Sequence, residues 1–337
     1  MGTGSGLRAR YLTEALARQG WQSRLSAAAG KPLPWSAEFV TSAPKLVFAG
    51  LGGADLAVGV KPYPNVWLAL AAARLRGAVT VVDIDDADGG YRGGVIGALT
   101  RALQAPAFHF ADFASTHHPL LKAALVERWG ADRVLDLPQG VDLQRFDPAL
   151  YPKKKKSAGP RLGFAAHLNV ACQLDVLLGA LTPWLEAHPK AQLIVAGGGP
   201  DEARFRALAA GLGGQVRFLG SLRPEGVAEA LASCDLGLSA YSDNPGNQHR
   251  VPMKVAEYLA LGLPVVTNLI PGLAALRPYV VATALTPLAF GSAVDRALTP
   301  AARAQAKRGQ AFVRKTLAWD KVAQDFLAQL RSRGARV

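Results

Sequence analysis

The sequence predicts an α/β protein made of two doubly wound parallel-sheet domains that face each other across a cleft. Short apolar segments alternate with amphipathic segments in both halves of the chain, a pattern typical of parallel strands covered by helices on both faces. Half of the 337 residues are apolar, which is enough to bury two cores of about 150 residues each. A segment rich in Pro and Lys and without periodicity, Asp147–Pro160, separates the two halves.

The elements of the first half follow from apolar periodicity and from the Gly and Pro residues that interrupt it. The predicted helices are Leu7–Gln19, Asn65–Arg76, Gly94–Gln104 and Pro119–Trp129, and the predicted strands are Leu56–Val60, Val79–Ile84 and Val134–Leu137. These elements assign residues 1–148 to the first domain.

The second half repeats the scheme more clearly. The predicted strands are Leu162–Ala166, Gln192–Ala196, Val216–Leu219, Asp235–Ser239 and Val265–Thr267, and the predicted helices are Leu174–Ala187, one beginning at Asp201, Pro224–Ser233 and Pro252–Leu261. The second domain is therefore assigned residues 161–310, after a basic linker at 149–160, and a C-terminal helical segment occupies 311–337.

The positive charge of the chain is concentrated in its second half. Residues 1–150 carry 15 Lys and Arg against 13 Asp and Glu, whereas residues 151–337 carry 23 against 12. Four of these cations form the run Lys153–Lys156. The run is consistent with attraction to an anionic lipid surface, with affinity for phosphorylated substrates, or with a solvated linker that its own charges keep extended.

Composition also excludes several classes of protein. No apolar run approaches the roughly 20 residues of a membrane span, and no secretory signal is recognisable, so a cytoplasmic protein is expected. The two cysteines, Cys172 and Cys234, cannot form a disulfide framework, and no His/Cys cluster predicts a metal. Aromatic residues do not interleave with the basic run, which argues against a nucleic-acid partner.

The most informative segment is PMKVAEYLALGLPVVT, Pro252–Thr267. Pro252 suits the first position of a helix, and the preceding residue has no side-chain oxygen to cap the first amides, so these N–H groups can meet an anion. Lys254 and Glu257 lie three residues apart on one face of that helix. They suit a phosphate and two sugar hydroxyls, or they form an ordinary surface salt pair.

Ligands of open α/β sheets bind outside the carboxyl ends of the strands. In the second half this rule places four segments along one rim: the loop after Ala166, the glycine turn Gly197–Pro200, the loop near Leu222, and the helix that begins at Pro252. The glycine turn contributes Gly199 to this rim, or it is only a tight turn.

The start of the chain, Gly2–Gly6, reads as a glycine-rich turn ahead of an amphipathic helix. Such a turn normally follows a strand, and the sequence offers none before it. We therefore expect the first sheet to lack its first strand, so that an upstream extension would stabilise it; the alternative is a flexible terminus. The GxGxG spacing is a weak match to a dinucleotide fingerprint, and this disfavours a dinucleotide-dependent oxidoreductase.

Four carboxylates, Asp83, Asp85, Asp86 and Asp88, lie at the carboxyl end of the buried strand Val79–Ile84. Carboxylates are costly to cluster unless they are exposed or used. They predict either a site at the end of this strand or an acidic cap for the next helix. HHP at 117–119 is predicted to cap the Pro119 helix, and Trp319 is predicted to be a core residue.

Five segments in collinear order resemble a retaining glycosyltransferase of the GT-B superfamily, close to family 4. They are the glycine-rich start GTGSGLRARYLTEALARQGW, LPQGVDLQRFDP (Leu137–Pro148), LIVAGGGPDEARFRAL with VRFLGSLRPEGVAEALASCDLGLSAY, PMKVAEYLALGLPVV, and TLAWDKVAQDFLAQL. The resemblance implies two facing Rossmann-like domains, the first for the acceptor and the second for a nucleotide sugar, with the last helix crossing back to the first domain.

The resemblance implies specific roles for residues of this chain. The ribose of the donor would bind Glu257, and its phosphates would meet the helix that begins at Pro252, Lys254 and Arg250. The other donor-binding residues would be His167, Gly199 and Leu222. Gly4, Ser5 and Gly6 would form an acceptor or phosphate loop, and Asp85 would stand nearest to the histidine that contacts the transferred sugar in the family. In a retaining enzyme the leaving phosphate can take the acceptor proton; in an inverting enzyme Asp85 would be the candidate base. No metal and no cofactor are expected.

The chain also departs from the family. His167 and Cys172 stand where an Arg and a Lys usually clamp the diphosphate, and His249 stands eight residues before Glu257 in place of a glutamate. A subgroup with a PxKxxEY motif is similar, and Lys254 and Arg250 could compensate there. The expected function is transfer of a sugar to a cell-surface polysaccharide or glycolipid acceptor. The alternative is a catalytically inactive, sugar-nucleotide-binding or scaffold homologue.

Overall fold

The structure is a computed structural model that describes residues 4–27, 37–85, 94–152 and 157–337. All strands of these ranges lie in two parallel sheets. The strands are β1 (Leu56–Val60), β2 (Val79–Asp83), β3 (Phe113–Thr116), β4 (Val134–Asp136), β5 (Arg161–Ala165), β6 (Gln192–Ala196), β7 (Val216–Phe218), β8 (Leu236–Ser239), β9 (Val265–Thr267) and β10 (Val281–Ala282).

Helices connect the strands in both sheets, as parallel pairing requires. In the described ranges they are α1 (Gly4–Arg18), α2 (Ala37–Leu51), α3 (Pro64–Leu75), α4 (Gly94–Gln104), α5 (Ala107–Phe110), α6 (Pro119–Trp129), α7 (Leu174–Ala187), α8 (Glu202–Leu208), α9 (Pro224–Ala232), α10 (Pro245–Gln248), α11 (Met253–Ala260), α12 (Pro287–Ala297), α13 (Pro300–Thr316) and α14 (Trp319–Ser332). None of the helices in the described part of the chain is long and apolar enough to cross a membrane.

The chain forms two compact units. The first unit comprises Met1–Gly140, Gln248–Val251 and Trp319–Val337, and the second comprises Val141–Asn247 and Pro252–Ala318. The first contains the sheet β1-β2-β3-β4, and the second contains the sheet β10-β9-β8-β5-β6-β7. Both units are Rossmann-like, so the predicted α/β fold class is confirmed.

The first unit contains a buried ion pair. Arg8 of α1 donates to both carboxylate oxygens of Asp83 at the end of β2, at 2.6 and 3.0 Å, and both side chains are 1% exposed. Arg8 also donates to the Leu137 carbonyl oxygen. α14 packs against α1, and an added Cβ at Gly140 would collide with the indole of Trp319. Trp319 is 1% exposed, as predicted for a core residue.

The core of the second unit lies on both faces of its sheet. On one face β5, β6 and β8 pack against α7 and α12, which contribute fully buried side chains such as Leu177 and Phe290. On the other face α9, α11 and α13 cover the sheet through Leu231, Tyr258 and Val313. The Tyr258 hydroxyl accepts a hydrogen bond from the backbone N–H of Ala165. This hydrogen bond attaches α11 to the carboxyl end of β5.

Most predicted elements are confirmed, several with unchanged bounds. Unchanged are α4, α6, α7, β1, β6 and β9, and the other predicted elements differ by up to three residues at an end. Prediction missed α2, α5, β3, α10, β10, α12 and the first part of α13. The α2 helix contains Pro44, and proline is unfavourable in the interior of a helix. The β3 strand has the sequence FAST, which is short and half polar. Their tertiary packing overrides these local signals.

Two local predictions were wrong. Gly4, Ser5 and Gly6 do not form a loop but begin α1. Glycine is a poor helix former, yet here the Ser5 hydroxyl bonds the Asp85 side chain and Arg8 is anchored one turn later. Pro252 is the N-cap of α11 with an extended ψ of 120°, not its first helical residue. Gly2, Asp86, Asp88 and Lys153–Lys156 lie outside the described residues.

Candidate functional site

In the second unit, the order of the strands locates a crevice. The chain passes from β5 outward to β6 and β7, then returns to β8 and continues to β9 and β10. The strand order therefore reverses between β5 and β8, and open α/β sheets bind ligands at such a switch point, outside the carboxyl ends of the strands. The predicted rim residues of the second unit follow these ends.

The loop after β5 carries His167 on its surface and Leu168 in the core. The Leu168 N–H donates to the Gly198 carbonyl oxygen at 3.0 Å, and the Leu168 carbonyl oxygen accepts from the Asp201 N–H at 3.0 Å. The loops after β5 and β6 are thus joined by backbone hydrogen bonds. His167 is among the exposed residues of this pair of loops.

The glycine turn is close-packed. A Cβ on Gly197 or Gly199 would collide with the carbonyl oxygen of Ala166 or Leu168, and Gly197 has a φ of +136°. The glycines are therefore required by contact between neighbouring loops, which favours the tight-turn interpretation without removing Gly199 from the rim. Leu222, in the loop after β7, is 37% exposed.

Helix α11 begins without a side-chain cap, as predicted. The Lys254 ammonium in its first turn lies 4.2 Å from the centre of the Phe164 ring on β5, at cation–π distance. Its charge also acts on the thiol of Cys172, whose pKa is nevertheless raised because burial disfavours the thiolate. Lys254 therefore places a cation near Cys172, where the sequence resemblance leads us to expect one.

Glu257 is the fifth residue of α11 and half-buried, not a first-turn surface residue. Burial raises the pKa of its carboxyl to about 7, the Lys254 charge lowers it, and the Asp142 carboxylate raises it. Near neutral pH the side chain therefore exchanges readily between a hydrogen-bond donor and an acceptor-only carboxylate.

One residue of this rim was not found from the sequence. Gln173, directly before α7, has a left-handed backbone with φ 57° and ψ 36°, and its side chain is nearly buried. Its carboxamide oxygen accepts from the backbone N–H of Ser242 at 2.6 Å and from the Asn247 amide at 3.2 Å. The sequence signal was weak, since glutamine rarely adopts this conformation.

Arg250 and His249 belong to the first unit, unlike Lys254 and Glu257. The His249 ring lies 5.7 Å from the ring of His118. The His118 side chain accepts from the Leu120 N–H and so caps α6, as predicted. Burial together with the His249 charge lowers the pKa of His118 to about 4, against the raising effect of a hydrogen bond with the Gln248 backbone. The phosphate-binding role of Arg250 stays a prediction.

The carboxyl ends of β1 and β2 hold the candidate site of the first unit. Asp85 is 8% exposed and lies 3.6 Å from the ammonium of Lys61, a residue with a left-handed φ of 68°. Burial raises the pKa of Asp85, against the lowering effect of Lys61 and of a hydrogen bond from Ser5. The Oδ1 atom of Asp85 has no hydrogen-bond partner within the described residues.

His117 lies in the same region and was not assigned a role from the sequence. Its Nδ1 atom is buried and has no hydrogen-bond partner within the part of the chain that the structure describes. Burial together with the Arg8 charge lowers its pKa well below the ordinary value, so the ring is neutral. The structure thus brings Ser5 and Asp85 together and adds Lys61 and His117 to them. No three potential metal-binding side chains gather anywhere in residues 4–27, 37–85, 94–152 and 157–337.

Comparison with known proteins finds a similarity to one family within the second unit. The family described as Glycosyl transferases group 1 matches residues 159–299. The chain is also similar to the GDP-mannose-dependent monoacylated alpha-(1-6)-phosphatidylinositol monomannoside mannosyltransferase of Corynebacterium glutamicum, with 32% identity over 171 residues. The alignment covers 48% of this chain and 44% of that protein, so the chain spans less than half of the length of this relative.

Solved structures match over nearly the whole chain. Sucrose-phosphate synthase from Thermosynechococcus elongatus superposes with a TM-score of 0.71 and 20% identity, covering 98% of this chain and 93% of that one. WaaG, a glycosyltransferase involved in lipopolysaccharide biosynthesis, gives a TM-score of 0.67 at 17% identity, with coverages of 99% and 97%. At these identities the likeness shows the fold. The chain therefore has the two-domain α/β fold of these glycosyltransferase structures, and its residues 159–299 are similar to the Glycosyl transferases group 1 family.

Proposed function

We propose that the chain transfers a sugar from a nucleoside-diphosphate sugar to a glycan or lipid-linked acceptor. The observation that carries this proposal is the pair Lys254 and Glu257 on an uncapped helix beside the β5–β8 switch point. The first N–H groups of α11 and the Lys254 ammonium suit a diphosphate. The Glu257 carboxylate can accept hydrogen bonds from the two ribose hydroxyls.

The proposed chemistry depends on charge and positioning. As the sugar leaves, negative charge develops on the diphosphate, and the α11 amides and Lys254 stabilise it there. With retention, the departing phosphate oxygen accepts the proton of the acceptor hydroxyl, so no protein base is required. We propose that the reaction proceeds in this way without a metal, and that Asp85 orients the acceptor or transferred sugar in the first unit.

The names of the relatives suggest a donor and an acceptor. The Corynebacterium relative is GDP-mannose-dependent and acts on a phosphatidylinositol mannoside. We therefore take GDP-mannose as the first donor to test and a lipid-linked glycan as the acceptor class.

Calorimetric titration with GDP-mannose, UDP-glucose and ADP-glucose tests the proposal, followed by a transfer assay with and without EDTA. Lys254→Gln is expected to weaken binding of the preferred donor about tenfold, since it removes one charge-assisted contact to phosphate. Lys321→Gln is the control, because Lys321 is exposed on α14 and paired with Asp325. Absence of binding by every donor would contradict the proposal.

A second candidate is an inactive sugar-nucleotide-binding homologue, favoured by the loss of two family cations at His167 and Cys172. This candidate predicts donor binding without transfer or hydrolysis. Replacing His167 by Arg and Cys172 by Lys then provides the test: activity that emerges only in this double variant identifies the natural protein as the binding homologue.

We also propose peripheral attachment to anionic membranes through the basic run Lys153–Lys156. Replacing the four lysines by glutamine is expected to release the protein from phosphatidylserine vesicles, at about 1 kcal/mol per lysine. Sedimentation at low and high salt measures this, and equal partitioning of both proteins would refute the attachment.

A further inference from the structure

Gln173 has a left-handed backbone conformation that glycine would adopt at a lower steric cost. It is one of two residues other than glycine with positive φ in the described ranges. Glycine adopts this conformation without the steric cost that a Cβ imposes. An outlier of this kind persists where the surrounding structure holds it, and such residues concentrate at functional sites. The side chain must therefore contribute something that glycine would not.

The side chain connects two loops. Gln173 is the N-cap of α7 but makes no side-chain capping bond there. Its oxygen instead accepts from Ser242 and Asn247, and Asn247 is 1% exposed. Within the loop, Asn244 also bonds Ser242 and accepts from the Asn247 N–H. The loop Ser242–Asn247 is thus ordered by its own amides and attached to the start of α7 by Gln173.

The hydrogen bonds of Gln173 cross the switch point between β5 and β8. Gln173 ends the segment that leaves β5, and Ser242 begins the segment that leaves β8, and β5 and β8 are neighbours. The crevice at the carboxyl ends of these two strands is where an open α/β sheet binds its ligand. The Gln173 hydrogen bonds therefore join the two walls of the crevice at which α11 presents Lys254.

We propose that Gln173 is a positioning residue for the donor: it fixes the distance between the β5 and β8 loops so that the diphosphate meets both. This inference rests on the proposed function and extends it. A site held in its binding geometry before the ligand arrives loses less ordering entropy on binding. Loss of the Gln173 contact should therefore appear as weaker donor binding.

Two variants separate this role from a contribution to stability. Gln173→Ala removes the carboxamide and keeps the unfavourable φ, whereas Gln173→Gly removes the carboxamide and relieves the φ. Both are expected to raise the dissociation constant of GDP-mannose, or of whichever nucleotide sugar binds the natural protein, about tenfold. Both should raise KM for the donor by a similar factor and change kcat by less than about threefold. The melting temperature of the Gly variant should exceed that of the Ala variant.

Hydrogen exchange gives an independent readout. The Ser242 amide is expected to be protected in the natural protein and to exchange faster, to the same extent, in both variants. Unchanged donor affinity in both variants would overturn the role of Gln173 while leaving the proposed function intact. An affinity loss that follows the melting temperature, larger in the Ala variant than in the Gly variant, would also overturn it. If the natural protein binds no nucleotide sugar, the proposed function fails and this inference fails with it.

Discussion

The two units place charge at the carboxyl ends of their strands in different ways. In the first unit Arg8 forms a buried ion pair with Asp83. Lys61 likewise pairs with Asp85, so each of these cations is matched by a carboxylate. In the second unit the cation Lys254 rests over the ring of Phe164. A matched pair suits neutral hydroxyl ligands, whereas a cation in the first turn of an uncapped helix adds to the positive end of the helix dipole and suits an anion. The difference is consistent with the proposal of a sugar acceptor in the first unit and a phosphate-bearing donor in the second.

The largest expected effect comes from breaking the matched pair of the first unit. Arg8→Met is expected to lower the free energy of unfolding by about 3–5 kcal/mol, because it leaves the Asp83 carboxylate buried without its partner. Arg10→Met is the control: Arg10 forms an exposed i,i+4 pair with Glu14 on the same helix, worth about 0.3–0.5 kcal/mol. Urea unfolding measures both, and equal destabilisation would show that burial of the Arg8 pair is energetically unimportant.

Substitution of Glu257 tests the proposed ribose contact of the second unit. Glu257→Ala is expected to weaken donor binding about a hundredfold, or about 3 kcal/mol, through loss of two charge-assisted hydrogen bonds to the ribose. Glu186→Ala, an exposed carboxylate of α7, is the control. Calorimetric titration measures both, and unchanged affinity in Glu257→Ala would refute the ribose assignment.

The pH dependence of Glu257 sharpens this assignment. Its folded pKa of about 7 lies above the ordinary value of 4.5, so between these pH values the folded protein keeps a proton that the unfolded chain has released. Glu257 therefore lowers stability as pH rises through this window, by about 3 kcal/mol at pH 8. Glu257→Gln should be more stable than the natural protein at pH 8, with little difference at pH 4.5. Donor affinity should rise as pH passes 7 in the natural protein and stay flat in the variant; parallel pH curves would contradict the assignment.

The sequence predicted local features of both units well and long-range ones poorly. The uncapped start of α11 and the Lys254–Glu257 spacing could be recognised because both depend on residues a few positions apart. The ion pair of Arg8 could not be recognised in this way, since its partner Asp83 lies 75 residues away. The Gln173 contact spans 69 residues to Ser242, and its backbone conformation runs against the preference of its residue type. The helical start at Gly4–Gly6 was missed for a related reason: contacts with Asp85 outweigh a local sequence that favours a turn.

His118 provides the smallest effect and the opposite pH response in the first unit. Its folded pKa of about 4 lies below the ordinary 6.5, so between these values the unfolded chain binds a proton that the folded protein excludes. Stability therefore falls as pH drops from 6.5 to 4, and we expect this group to contribute a loss of about 2 kcal/mol between pH 7 and pH 4.5. His118→Asn keeps an α6 cap that cannot titrate. Because Asp85, with its raised pKa, responds in the opposite sense, the measurement is the difference between the two proteins in urea unfolding at pH 7 and pH 4.5. As the pH falls, the free energy of unfolding of the variant should rise relative to that of the natural protein. A constant difference would mean that the His118 ring accepts a proton in the folded first unit as easily as in the unfolded chain.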